Sequence, residues 1–149
     1  MQGDKKIDTL LERFNAYNDW EDRYAELIKF GKEFEELDEK CLVDKFKVNG
    51  CQSQVWLYPS LQDGKVHFKA SSDAVLVKGI ISLLVHVYTD RTPDEILALK
   101  PEFLDQLGVR EHLSMNRSNG IMHMLKKIQT YAILFKALVD KGMKDVDEI

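Results

Sequence analysis

Among 149 residues, few side chains have covalent chemistry to offer. The first is Cys51, in "KVNGCQSQVWLYP", residues 47–59. A thiol reacts through its thiolate, so its use depends on local charge and exposure. Cys51 directly follows Asn49-Gly50, a strong turn signal. That position puts the sulfur at the rim of a sheet, where Gly50 lets another backbone come close. A cysteine on a strand is more often inert filler, and that reading stays open beside the reactive one. Cys41 follows the acidic run "EELDEK", which disfavours a thiolate, and it reads as structural. Two cysteines in a chain of this length do not make a disulfide framework.

Arg117, in "NRSNG", stands where a last helix is expected to begin. A cation meets the positive end of the helix dipole there, which is mildly unfavourable. It is either a solvated arginine or a fork that holds a carboxylate of a partner or of Asp73. Asp73 is itself ambiguous, because it also suits a helix cap. Lys78 falls inside an apolar helix and is expected to reach out along its stem.

Several classes of function find no support. The cysteines are ten residues apart, and His67, His86, His112 and His123 are scattered with no i, i+4 pair. No metal site is expected from such spacings. "GCQSQV" lacks the Lys-Ser/Thr ending of a phosphate loop. The formal charge is −4 without a basic stripe, which argues against nucleic acid. A Cys51–histidine hydrolase dyad needs only proximity in space, and no local signature marks one.

The elements that must position these residues follow from period. Ile7, Leu10, Leu11, Phe14 and Tyr17 keep helical spacing, which predicts a helix over 4–16. Asp19 is expected to cap a second helix with Trp20, Tyr24, Leu27, Ile28 and Gly31 on its inner face. The period then changes to two. Phe46 and Val48 alternate with lysines, and Asn49-Gly50 suits a type I′ turn. A strand over Gln52–Tyr58 follows and is expected to stop at Pro59. "SLQDG" turns into a third strand carrying Val66, Phe68 and Ala70. After Ser71-Ser72-Asp73 comes an apolar helix. Thr92-Pro93-Asp94-Glu95 starts another with a capping box. A short helix opens at Pro101-Glu102, and a long one spans about Arg117 to Asp140. The sum is a single α+β domain over 1–149: a small three-stranded antiparallel sheet packed against helices.

"DAVLVKGIISLLVHVY" is broken by Lys78 and His86 and falls short of the roughly 20 apolar residues of a membrane span. The N-terminus lacks the pattern of a signal peptide, so the expected setting is the cytoplasm, with free thiols.

"NGCQSQVWL" resembles the cysteine motif of the SufE family of sulfur-acceptor proteins. "SDAVLVKGIISLL", "LSMNRSNGIMHMLKKI" and "WEDRYAELIKFGKEF" resemble its other segments, and all lie in the family's order from Trp20 to the last helix. The chain departs from the family at Met115-Asn116, where a Pro-Ser or similar pair often stands, and its tail after Lys141 is not covered. The SufE-like and CsdE-like branches both fit. The resemblance implies a fold like that of IscU-type scaffold proteins. It implies that Cys51 takes persulfide sulfur from a pyridoxal-phosphate cysteine desulfurase, stimulates it, and passes the sulfur to an iron–sulfur scaffold complex. The pyridoxal phosphate belongs to the desulfurase, and no cofactor of this chain's own is expected. Gly50, Gln52 and Ser53 would shape the loop, and Asp73 and Arg117 would belong to the docking surface. Such a chain is a sulfur-transfer partner rather than a stand-alone enzyme. It would shelter its persulfide in transit and present it when docked. The rivals are a cluster scaffold, which needs about three cysteine ligands, and a stand-alone cysteine hydrolase.

Overall fold

The computed structural model describes residues 4–109 and 115–147, the side chains of 115–118 excepted. Its element order is α1 (Lys5–Asn15), α2 (Trp20–Lys32), β1 (Val55–Gln62), β2 (Lys65–Ser72), α3 (Val75–Tyr88), α4 (Pro93–Ala98), α5 (Phe103–Gln106) and α6 (Met115–Asp140), with 3-10 turns at Glu39–Cys41 and Asp44–Phe46. Helix starts follow their caps. Asp4 accepts from the N–H groups of Lys6 and Ile7, and Asp19 from that of Glu21. Thr92 and Glu95 make the full capping box.

β1 and β2 form one antiparallel hairpin, so the sheet has two strands and not three. The expected first strand shrinks to a bridge between Lys47 and Trp56 and one hydrogen bond, from the Val48 N–H to the Val55 carbonyl at 2.8 Å. The alternation of Phe46 and Val48 has another cause. Phe46 turns into a small cluster with Leu37 and Cys41, whereas Val48 enters the main core. Two buried side chains of opposite destination mimic a strand. The type I′ geometry moves as well. Both central residues of the hairpin turn, Asp63 and Gly64, have positive φ, 52° and 77°. At Asn49-Gly50 only Gly50 does, at 93°. Residues 49–54 therefore form a wider loop, and β1 starts at Val55 rather than Gln52.

Pro59 lies within β1 instead of ending it. Leu61, two residues on, sends its N–H away from β2 to the Val146 carbonyl. Pro59 shares that outward side, so its missing N–H removes nothing from the β1–β2 ladder. The reciprocal bonds of Leu61 with Val146 bring the chain after α6 back along this edge. Arg91 bridges to Val66 along the other edge. Both open edges are thus partly covered.

One face of the hairpin, with Val55, Leu57, Leu61, Val66 and Phe68, joins the core beneath the helices. Trp56 and Tyr58 point the other way and are met by Leu37, Cys41, Leu42 and Phe46. Cys41 is buried there as a free thiol, in a structural place. α3 is the central helix, with Ile81, Leu83, Leu84 and Val87 at 0% exposure. α2 crosses it at a glycine pair: a Cβ on Gly79 would stand 2.3 Å from the Leu27 carbonyl oxygen, and one on Gly31 would stand 2.7 Å from the Gly79 nitrogen. Lys78 runs its stem through the core to a surface carboxylate. Its buried ammonium pairs with Glu36 at 2.9 Å, and Ser71 donates to the same carboxylate. The Lys78 bond and then the Ser71 bond hold Glu36 below the usual carboxylate range.

Candidate functional site

The loop 49–54 carries Cys51 and is held at both ends. On the entry side lies the Val48–Val55 bond. On the exit side the Gln54 N–H donates to the Asp73 carboxylate at 3.0 Å, the Asp73 N–H returns to the Gln54 carbonyl at 3.2 Å, and Ser72 Oγ donates to that carbonyl at 2.8 Å. Asp73 does not cap α3: the cap residue is Ala74, with no side-chain capping bond. Its exposed carboxylate is a brace for the cysteine loop. The loop's near side rests on α6. A Cβ on Gly50 would lie 2.5 Å from the His123 ring, so both the positive φ and the close approach require glycine there.

Between these braces Cys51 is half-buried. Its thiol donates to the Gly120 carbonyl at 3.7 Å, a weak bond suited to sulfur. A Cβ on Gly120 would be 3.4 Å from Sγ, an ordinary contact, so the sulfur rests directly against the helix backbone at Gly120. Cys51, Gln52, Ser53, Val77, Ile80, Gly120 and Met124 enclose a pocket of about 60 Å³. One water needs roughly 10–15 Å³ of such space, and a divalent sulfur is little larger than a water oxygen. The pocket has apolar walls from α3 and α6. Burial pushes the Cys51 thiol above its ordinary value, because a thiolate is poorly solvated in such a place. The resting arrangement thus holds a protonated thiol beside room for several further atoms.

Of the residues singled out in the sequence, Cys51, Gln52 and Ser53 line one pocket, Gly50 shapes the turn beside it, and Asp73 ties the loop's exit. Arg117 lies in the first turn of α6, the helix that supplies Gly120, and its side chain is outside the described residues, as is His112. Gly120 and His123 were not singled out for the cysteine. A glycine inside a helical pattern costs about 1 kcal/mol against alanine, and that signal in "SNGIMHML" marks a close approach.

The other histidines serve elsewhere. His67 is 3.8 Å from Asp90. His86 stands edge-on to Phe30 and Phe34, and burial, then the cations of Lys6, Arg13 and Arg91, lower its pKa. No histidine lines the Cys51 pocket, and the thiol's hydrogen bond goes to the Gly120 carbonyl rather than to His123, which packs against Gly50 next to it, so the described residues show no formed dyad. Nor do three His, Cys, Asp or Glu side chains converge among them to hold a metal ion. No helix of the described residues is long and apolar enough to cross a membrane.

Residues 8–132 match the family model described as "SufE: Fe-S metabolism associated domain". The chain is 39% identical over 127 residues to an uncharacterized SufE-like protein of Synechocystis sp., across 85% of this chain and 80% of that one. It is 36% identical to an uncharacterized SufE-like protein of Rhizobium etli, across 85% and 88% of the two chains. The fold is similar to a solution structure of a hypothetical protein from Thermus thermophilus. The TM-score is 0.73 at 21% identity, over 89% of this chain and 96% of that one.

Proposed function

The chain belongs to the SufE family of sulfur acceptors and carriers for iron–sulfur assembly, and from that premise we propose that Cys51 is the atom site where it accepts sulfur. The observation that carries this reading is the half-buried thiol beside a pocket with space for one more sulfur. The donor is a cysteine desulfurase bearing a persulfide on its own cysteine. The Cys51 thiolate attacks the outer sulfur, a new bond forms from Sγ to that sulfur, and the donor's sulfur–sulfur bond breaks. The leaving group is the desulfurase cysteine thiolate. The sulfane sulfur moves at an unchanged oxidation level, so no external oxidant or reductant enters. Cys51 loses its thiol proton to solvent, and the proton on the transferred sulfur exchanges with solvent.

The raised thiol pKa gives the loop a second task. At rest the nucleophile is largely protonated, and the pocket covers it. Docking draws residues 51–53 outward, where water or the partner solvates the thiolate. The braces at Gln54 and Gly50 lie on either side of the part that moves. Afterwards the loop returns and the persulfide sits against Gly120, away from reductants, until a scaffold complex takes the sulfur. Removing the persulfide product from the donor is also how the chain stimulates the desulfurase.

The test is intact-mass spectrometry after mixing with a cysteine desulfurase, pyridoxal phosphate and cysteine. A gain of sulfur on the wild type, lost on reduction and absent in Cys51→Ser, is the expected result. An equal gain in Cys51→Ser, or none with an active cognate desulfurase, ends the reading.

A further inference from the structure

A second groove adjoins the cysteine loop through Asn49. Lys47, Val48, Asn49, His123, Lys126, Lys127 and Thr130 line it, and its volume is about 220 Å³. Its long wall is one face of α6: positions 123, 126, 127 and 130 follow the i, i+3, i+4, i+7 pattern. The seven helical rises from 123 to 130 make that wall about 10 Å long, the length of about three extended residues. Lys47, Lys126 and Lys127 make no ion pair among the described residues, and no carboxylate lines the groove. Lys127 lies over the Tyr131 ring, 5.1 Å from its centroid, which holds one ammonium in place.

Three lysines without an ion pair among the described residues line one groove, against the chain's overall charge of −4. Solubility does not ask for such a cluster in an acidic protein, and mutual repulsion disfavours it. The groove also adjoins the reactive loop directly: Asn49 lines it, and Gly50 touches His123 on its wall. We propose that this groove seats an acidic segment of the sulfur-donating partner, a stretch of about three residues carrying Asp or Glu, and so registers the partner's reactive cysteine on Cys51. The inference rests on the carrier reading above and adds to it the chemistry of the contact. Attraction between such a segment and the lysines speeds encounter and fixes orientation more than it adds lasting affinity. That suits a carrier which must leave one partner for the next.

The experiment measures association of the fluorescently labelled chain with a cysteine desulfurase by stopped-flow anisotropy, from about 50 to 300 mM salt. Lys126→Glu/Lys127→Glu is compared with Lys65→Glu/Lys144→Glu. The latter has the same charge change near the far turn of the hairpin, about 25 Å along the strands from the cysteine loop. Alkylation of Cys51 by iodoacetamide in the isolated proteins checks that the loop is intact, and should be equal in all three. The groove variant is expected to associate at least about tenfold more slowly at low salt and to lose most of its salt dependence, with the distal variant near wild type. Equal rates for groove variant and wild type, equal slowing in both double variants, or no association by the wild type would overturn the proposal. Sulfur acceptance is read separately by mass. A wild type that binds through the groove but accepts no sulfur on Cys51 leaves the groove standing and removes the carrier reading. A groove variant that binds normally while Cys51 takes sulfur does the reverse.

Discussion

Replacing Gly120 by alanine should make the protein more stable and a worse keeper of sulfur. Gly120 is buried in the α6 helix, where glycine costs roughly 0.5–1 kcal/mol relative to alanine. The added methyl would sit 3.4 Å from Cys51 Sγ and 3.9 Å from its Cβ. Those are ordinary contacts, so the thiol form tolerates it. The helix gain then raises the Tm by about 1–4 °C for a chain of this size. A persulfide carries one more sulfur bonded to Sγ, and the new methyl already stands in van der Waals contact with Sγ on the Gly120 side of the pocket, where that sulfur would lie. Crowding at that contact costs about 1–3 kcal/mol. That shifts the balance between sheltered and exposed persulfide by about 5- to 150-fold. The assay loads wild type and Gly120→Ala with sulfur and follows thiocyanate release on adding cyanide. The variant should release its sulfur at least about fivefold faster while melting higher. Equal release rates with a raised Tm would refute the idea that the pocket houses the sulfur. A lowered Tm would refute the contact geometry itself.

Gly79→Ala should go the other way, because its Cβ meets the Leu27 backbone at 2.3 Å and two helices must part. We expect a loss of about 3 kcal/mol in urea unfolding, and an unchanged midpoint would mean that α2 and α3 do not cross so closely. Asp73→Ala removes the acceptor of the Gln54 N–H. Its cost, discounted for exposure, is about 1 kcal/mol. The loosened loop should raise the rate of Cys51 alkylation about fivefold, whereas an unaltered rate would show that the brace does not restrain the sulfur. The pH dependence of that alkylation follows from the upward shift of the thiol. A raised pKa means less thiolate at neutral pH, so the rate should climb about tenfold per pH unit and still be rising at about pH 9. In urea it should level off near the ordinary thiol value of about 8.5. Levelling at the same pH in both states would contradict the burial argument.

Local signals carried much of the architecture. Asp19 and the Thr92–Glu95 box declare their helix starts because a cap needs only residues within one turn. The strand over Val66, Phe68 and Ala70 was legible from its period, since β2 has one face buried and the other half-open. The errors gathered at the cysteine loop. Asn49-Gly50 and Asp63-Gly64 both look like hairpin turns in sequence, yet only the second has positive φ at both residues. The first is pulled instead against His123, more than 70 residues later in the chain. The third strand failed for a similar reason, because Phe46 answers to Leu37 and Cys41 rather than to a neighbouring strand.

The residues themselves determined that Cys51 stands at a turn, that the family's segments occur in order, and that helices flank a small antiparallel sheet. Each of these depends on spacing within a short window. Only the tertiary structure decided what surrounds the sulfur: Gly120 from α6, Val77 and Ile80 from α3, and a carboxylate from the β2–α3 junction holding the loop's exit. It alone decided that Lys47 and the lysines of α6 share a groove. The thiol's resting protonation and the groove's unbalanced charge both depend on burial and on distances between remote segments, and these exist only once the chain has folded.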